Sequence, residues 1–284
     1  MINMNQNLKL RIITALVGVP IILALLTSLG VEGVAFFSWI VSMGMIYEFS
    51  KLFFTLPDAS TKTMLMLVVN TLVHFLNYWL TVGLSSGFLG LVPVFFLSIT
   101  FLFMIPKLLN YGSFDQKLVA QHFQELMAAC FGFVYACWIP LLMVSIRQSS
   151  QGKYWLILMM LIVWSSDTFA YFAGKFFGKT SLYEIVSPKK TWEGAIGGCL
   201  GALIISVLFS RLFLSGHSLV EISVISLTIS VASILGDLCE SLMKRAVNVK
   251  DSGSILPGHG GFLDRFDGVV FALPVMYAFL WLLS

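Results

Sequence analysis

An all-α, polytopic integral membrane protein with about nine transmembrane helices is predicted by three features of the sequence. The 284-residue chain is 58% hydrophobic, it is only 11% charged, and its apolar residues fall into long runs. A soluble domain needs a far more charged surface than this. A bilayer core is crossed by roughly 20 helical residues. Runs of about that length fall at 12–30, 33–53, 63–82, 87–105, 124–146, 154–174, 194–214, 219–240 and 268–284.

The first run follows Lys9 and Arg11 and so imitates a signal peptide. It carries no charge from Ile12 to Val31, and no small-residue cleavage site follows it. It is long enough to cross a bilayer and reads as the first span. From Thr63 to Pro106 there is no Asp, Glu, Lys or Arg. That stretch fits two spans joined by a tight turn at Ser85-Ser86-Gly87. Carboxylates intrude into 33–53 and 219–240, which blurs the limits of those two runs.

Orientation follows from the loops. With the N-terminus inside, fourteen of the 17 cationic residues lie on the inner side, and only Arg147, Lys153 and Arg211 lie outside. The positive-inside rule therefore predicts a cytoplasmic N-terminus and an outer C-terminus. The charged loops 175–193 and 241–267 then face the cytoplasm. Residues 1–150 have bland loops and read as a scaffold of about five helices. Residues 151–284 hold the concentrated polar chemistry on about four. A net charge of +3 gives no case for nucleic acid. The four cysteines show no metal-ligand spacing and read as reduced packing residues.

Three constellations carry chemistry. Asp237, Ser241 and Lys244 follow an i, i+4, i+7 spacing and share a helical face, with Glu240 a little off it. A carboxylate at membrane depth is costly and needs a counter-charge, a metal or water. Asp264 and Asp267 stand three apart where the ninth span begins. Two acids there suit a helix N-terminus, and with Asp237 they also make a three-carboxylate site for a hard cation such as Mg²⁺. The turn Pro257-Gly258-His259-Gly260-Gly261 just before them suits phosphate. Its glycines allow close backbone approach and His259 offers a donor. Lys244, Arg245, Lys250 and Arg265 are cations among these acids.

The third constellation begins at Asp167, inside an apolar run. It continues through Gly174, Gly178 and Lys179 to Ser187-Pro188-Lys189-Lys190-Thr191-Trp192-Glu193-Gly194. Lys189 and Lys190 suit a polyphosphate. Trp192 suits an interfacial anchor or, less commonly, a stacking platform. Acids for a divalent metal, cations for phosphate and a glycine turn together describe phosphoryl or nucleotidyl transfer. No GxxxxGK[ST] motif is present, which excludes a P-loop enzyme.

The stretch from Ser241 to Asp267 resembles the signature of the phosphatidate cytidylyltransferase (CDP-diacylglycerol synthase) family. It reads Ser241-Leu-Met-Lys244-Arg245, four residues, Lys250-Asp251, then Pro257-Gly-His259-Gly260-Gly261-Phe-Leu-Asp264-Arg265-Phe-Asp267, without a departure from the pattern. The Asp167 segment and Ser187–Gly194 also resemble that family, whereas residues 1–150 do so only in hydropathy. The resemblance implies a nine-helix membrane enzyme, a homodimer, that forms CDP-diacylglycerol and pyrophosphate from CTP and phosphatidate. It also implies a metal centre on Asp237, Asp264 and Asp267, with Mg²⁺ and a second cation such as K⁺. Rivals stand beside it: a CTP-using lipid kinase acting on polyprenol or phytol, a cytidylyltransferase for a different lipid phosphate, and a cation-coupled transporter. The transporter is disfavoured because its class shows paired repeats and midplane sites, whereas these acids gather at one membrane face.

Overall fold

A computed structural model of the chain describes residues 4–83, 116–256, 258 and 260–283. The helices are α1 (Met4–Thr27), α2 (Gly30–Phe53), α3 (Ala59–Gly83), α4 (Gln116–Gln148), α5 (Gly152–Phe177), α6 (Trp192–Phe213), α7 (Leu219–Ala246) and α8 (Leu263–Leu283). Among the described residues, seven helices, α2 to α8, are long and apolar enough to cross a membrane. The expected span at 87–105 lies outside the described residues. An all-α polytopic membrane protein is the architecture, with one small exception. Strands β1 (Ser181–Tyr183) and β2 (Ser187–Thr191) pair antiparallel in a hairpin between α5 and α6. Five residues of Ser, Pro, Lys and Thr carry no apolar periodicity, so nothing in the sequence pattern marks that strand.

Charge ends an apolar run without ending a helix. Helix α7 runs to Ala246, six residues past its apolar stretch, because Glu240, Lys244 and Arg245 continue its inner turns. Helix α8 starts at Leu263, not 268, with Asp264 in its first turn, where the partial positive charge of the backbone favours an acid. Helix α7 begins with a capping box. Ser218 Oγ accepts from Glu221 N and the Glu221 carboxylate accepts from Ser218 N.

Buried polar groups lock α2, α3 and α4 together. Helix α4 contains a π-helical segment, Phe133–Trp138, just before Pro140. Proline cannot donate to the Ala136 carbonyl four residues back. Ser42 Oγ donates to it instead at 2.5 Å and also lies 2.6 Å from the Asn70 side-chain amide. Ser38 Oγ donates to the Pro140 carbonyl at 2.8 Å. In a bilayer such contacts replace water as partners of the freed backbone groups.

The bend after α2 is held by Glu125 of α4, which is buried. Its Oε1 accepts from Thr55 N at 2.7 Å and Leu56 N at 2.9 Å, and its Oε2 pairs with Lys62. Helices α5 and α6 pack closely through small residues. A Cβ at Gly198 would lie 2.8 Å from the Ser166 carbonyl oxygen.

Candidate functional site

The site forms where the C-terminal end of α7 and the N-terminal end of α8 meet the hairpin. Gly236 lets the two helices touch, since a Cβ there would run into the backbone carbonyl of Asp267. Its neighbour Asp237 therefore faces Asp267 across the seam. One turn further along α7, Glu240 joins them. Oxygens of Asp237, Glu240 and Asp267 lie within 4.8 Å of one another. Glu240 is buried and its Oε1 has no hydrogen-bond partner. Asp267 Oδ1 accepts from Gly268 N at 2.7 Å.

The expected third acid, Asp264, is engaged differently. Its Oδ1 accepts from Lys244 Nζ at 2.7 Å. Its Oδ2 lies 2.8 Å from Ser252 Oγ and accepts from Ser252 N at 3.1 Å and Gly261 N at 3.0 Å. The close carboxylate group thus contains Glu240 in the place expected for Asp264. The physical reason is reach: Glu240 stands one turn from Asp237 on the same helix, while the loop backbone and Lys244 hold Asp264.

Two lysines pair with this group. Lys244 pairs with Glu240 as well as with Asp264. Lys190, from the end of β2, pairs with Asp237. That ion pair brings the 187–194 stretch and the signature loop into one site. The hairpin is fastened at its base: Thr191 Oγ1 accepts from Gly194 N at 3.1 Å, capping α6, and the Glu193 carboxylate accepts from Lys179 N and Thr180 N.

The other expected site residues fall around this centre. Lys189 and Lys250 are exposed. Arg245 is also exposed and donates to the Val249 carbonyl at 2.9 Å, closing the end of α7. Asp167 lies on the exposed face of α5. Gly258 and Gly260 adopt φ of +77° and +85°, and Leu256 N donates to the Gly260 carbonyl, so the expected tight turn is present. His259 lies outside the described residues. Arg265 is the single charged residue lining an apolar cavity of about 340 Å³, whose other walls include Gly18, Ile22, Phe37, Trp164 and Phe262.

Sequence reasoning passed over two acids. Glu240 was visible beside the Asp237 face. Glu48, on α2, was visible only as an acid interrupting an apolar run, and no spacing linked it to a loop some 200 residues away.

The profile of the cytidylyltransferase family matches residues 9–283, almost the whole chain. The chain belongs to the cytidylyltransferase family. Among relatives, it is 34% identical over 275 residues to the phosphatidate cytidylyltransferase of Brucella abortus biovar 1, covering 96% of this chain and 93% of the relative. It is 43% identical over 142 residues to the phosphatidate cytidylyltransferase of Bacillus subtilis, covering 50% of this chain and 53% of that one. It is 33% identical over 216 residues to phosphatidate cytidylyltransferase 5, chloroplastic, of Arabidopsis thaliana, covering 68% and 52%. The chain thus spans about half the length of the Bacillus and Arabidopsis relatives it matches.

Proposed function

We propose that this chain is an integral membrane enzyme that transfers CMP from CTP to phosphatidate, yielding CDP-diacylglycerol and pyrophosphate for phospholipid biosynthesis. The observation that carries the reading is the convergence of Asp237, Glu240 and Asp267 with Lys190 and Lys244. Family membership and the names of its relatives narrow the chemistry to a cytidylyl group and phosphatidate.

The donor set fits a hard divalent cation. Three carboxylates crowd together and one buried oxygen lacks a donor, which suits Mg²⁺. Asp237, Glu240 and Asp267 would hold it, with Asp264 orienting Lys244. A second cation such as K⁺ belongs to the same proposal. When bound, such ions neutralise the polyphosphate and stabilise the departing pyrophosphate.

The chain's own groups do the rest. Lys190, Lys189, Lys244 and Lys250 offset the charge of CTP, and His259 with the glycine turn offers donors to its phosphates. Arg265 receives the phosphatidate head at the mouth of the apolar cavity, and an acyl chain occupies the cavity. A phosphatidate oxygen attacks the α-phosphorus. The bond from that phosphorus to the bridging oxygen breaks, and pyrophosphate leaves. Phosphatidate is already ionised, so no strong general base is required.

The topological part of the proposal has nine spans, a cytoplasmic N-terminus and a site facing the cytoplasm of a bacterial inner membrane. The cationic loop bias supports it. A homodimer follows from the family resemblance.

The deciding assay gives the purified protein in detergent Mg²⁺, phosphatidate and CTP carrying label on the cytosine ring. Label entering lipid with release of pyrophosphate is expected. Folded protein that incorporates none would overturn the reading, and release of CDP would mark a lipid kinase.

A further inference from the structure

Glu48 is a buried carboxylate that neither the signature nor the proposed reaction employs. It sits near the inner end of α2, in the half of the chain with bland loops, and is 1% exposed. A lone acid there is costly without a task. Its Oε2 accepts from Leu263 N, at the start of α8, at 3.0 Å. Ser252 Oγ stands between Glu48 Oε2, at 3.2 Å, and Asp264 Oδ2, at 2.8 Å. Asp264 then accepts from Lys244, which pairs with Glu240. An unbroken line of polar contacts therefore joins α2 to the carboxylate group.

The loop is shaped around this side chain. A Cβ at Gly253 would lie 2.7 Å from the Glu48 Cδ, and a Cβ at Gly261 would lie 2.7 Å from its Oε1. Either contact is closer than real Cβ atoms make. One turn earlier on the same face of α2, Gly44 leaves room for the Phe262 ring, which would press on any Cβ there. Three bare positions thus accommodate one docking of loop against helix.

We propose that Glu48 is a positioning residue for the transfer site. It fixes residues 252–263 and, through Ser252 and Asp264, sets Lys244 against the carboxylates. Its catalytic consequence rests on the cytidylyl-transfer reading above, while its hold on the loop does not.

The test compares full-length wild type, Glu48→Ala and Glu48→Gln in detergent. Hydrogen exchange is followed across the chain, and label transfer is measured over a range of CTP concentrations. Glu48→Ala is expected to speed exchange at 252–263 while α3 and α5 keep wild-type rates. It should lower kcat per folded molecule by about 10- to 100-fold, the range found when groups supporting a metal site are removed, with KM for CTP changing far less. Glu48→Gln keeps an acceptor oxygen for Leu263 N and should stay within about threefold of wild type.

A purely structural role would speed exchange throughout and lower the folded fraction, leaving kcat per folded molecule intact. That result overturns the proposal, as does unchanged exchange in the loop. If Glu48→Ala does not fold, Ser252→Ala cuts the same line one step later and must show both the local exchange and the loss of kcat. If wild type itself transfers no label, the cytidylyl reading fails, and the exchange data alone decide whether Glu48 holds the loop.

Discussion

Two groups of buried charge among the described residues are built on opposite principles. At the bend between α2 and α3, Glu125 meets Lys62 and two backbone N–H groups, so both its oxygens are occupied. Lys62 also pairs with Asp58 at 2.8 Å. That group is complete in itself and ties three segments together. Where the C-terminal end of α7 meets the N-terminal end of α8, three carboxylates face one another with lysines only at their flanks, and Glu240 keeps an oxygen without a donor. Like charges at this spacing repel unless a cation stands among them. The first group has the build of charge used for cohesion, and the second has the build that the proposed ligand site requires. Removing an acid should therefore damage different properties in the two places.

The largest effect on activity is expected at Asp267. Asp267→Asn should reduce CMP transfer about a hundredfold or more, as removal of a principal electrostatic group does. Its thermal midpoint in detergent should match or exceed wild type, because one of three mutually repelling charges is gone. Retained transfer would take Asp267 out of the site. Glu240→Gln comes next, with a loss of roughly tenfold or more and a higher Mg²⁺ concentration at half-maximal rate. An unchanged Mg²⁺ titration would restore Asp264 as the third acid. Glu125→Ala reverses the pattern. It leaves Lys62 buried without its main partner, at a cost of about 3–5 kcal/mol. Thermal unfolding should register that cost, while CMP transfer per folded molecule stays within about twofold of wild type. A large loss of kcat there would erase the distinction between the two groups.

The membrane fold was legible because apolar length is a local property. The runs at 154–174 and 194–214 each lie within two residues of a helix end or well inside one. Boundaries slipped where charge and helix coexist, as at Lys244 and Arg245, since hydropathy reads burial in lipid and not hydrogen bonding. The signature residues were legible because they are consecutive and differ sharply from their surroundings. The partition of work among them was less so. Glu240 lies closer to Asp237 and Asp267, while Asp264 is engaged by Lys244 and the loop, for reasons of side-chain reach and hydrogen bonding that spacing alone does not encode. Glu48 was hidden for a different reason. Its partner Ser252 lies far along the chain, and a single acid in an apolar run has no periodicity to reveal its direction. The Lys190–Asp237 pair is similar, joining a hairpin to a helix through a contact that only folding brings about.

The π-helical stretch in α4 works as a phase adjustment. It accommodates an extra residue in one turn of the helix, so the segment before it is rotated relative to the segment after it by about 100°, one residue's share of a helical turn. Glu125 lies before that stretch and Pro140 after it. Shortening the chain by one residue at Val134 would restore a regular helix, yet it would swing Glu125 away from the α2–α3 bend or Pro140 away from Ser38. The helix can serve both appointments only by keeping its irregular turn, so its length between these two residues is as constrained as their identities.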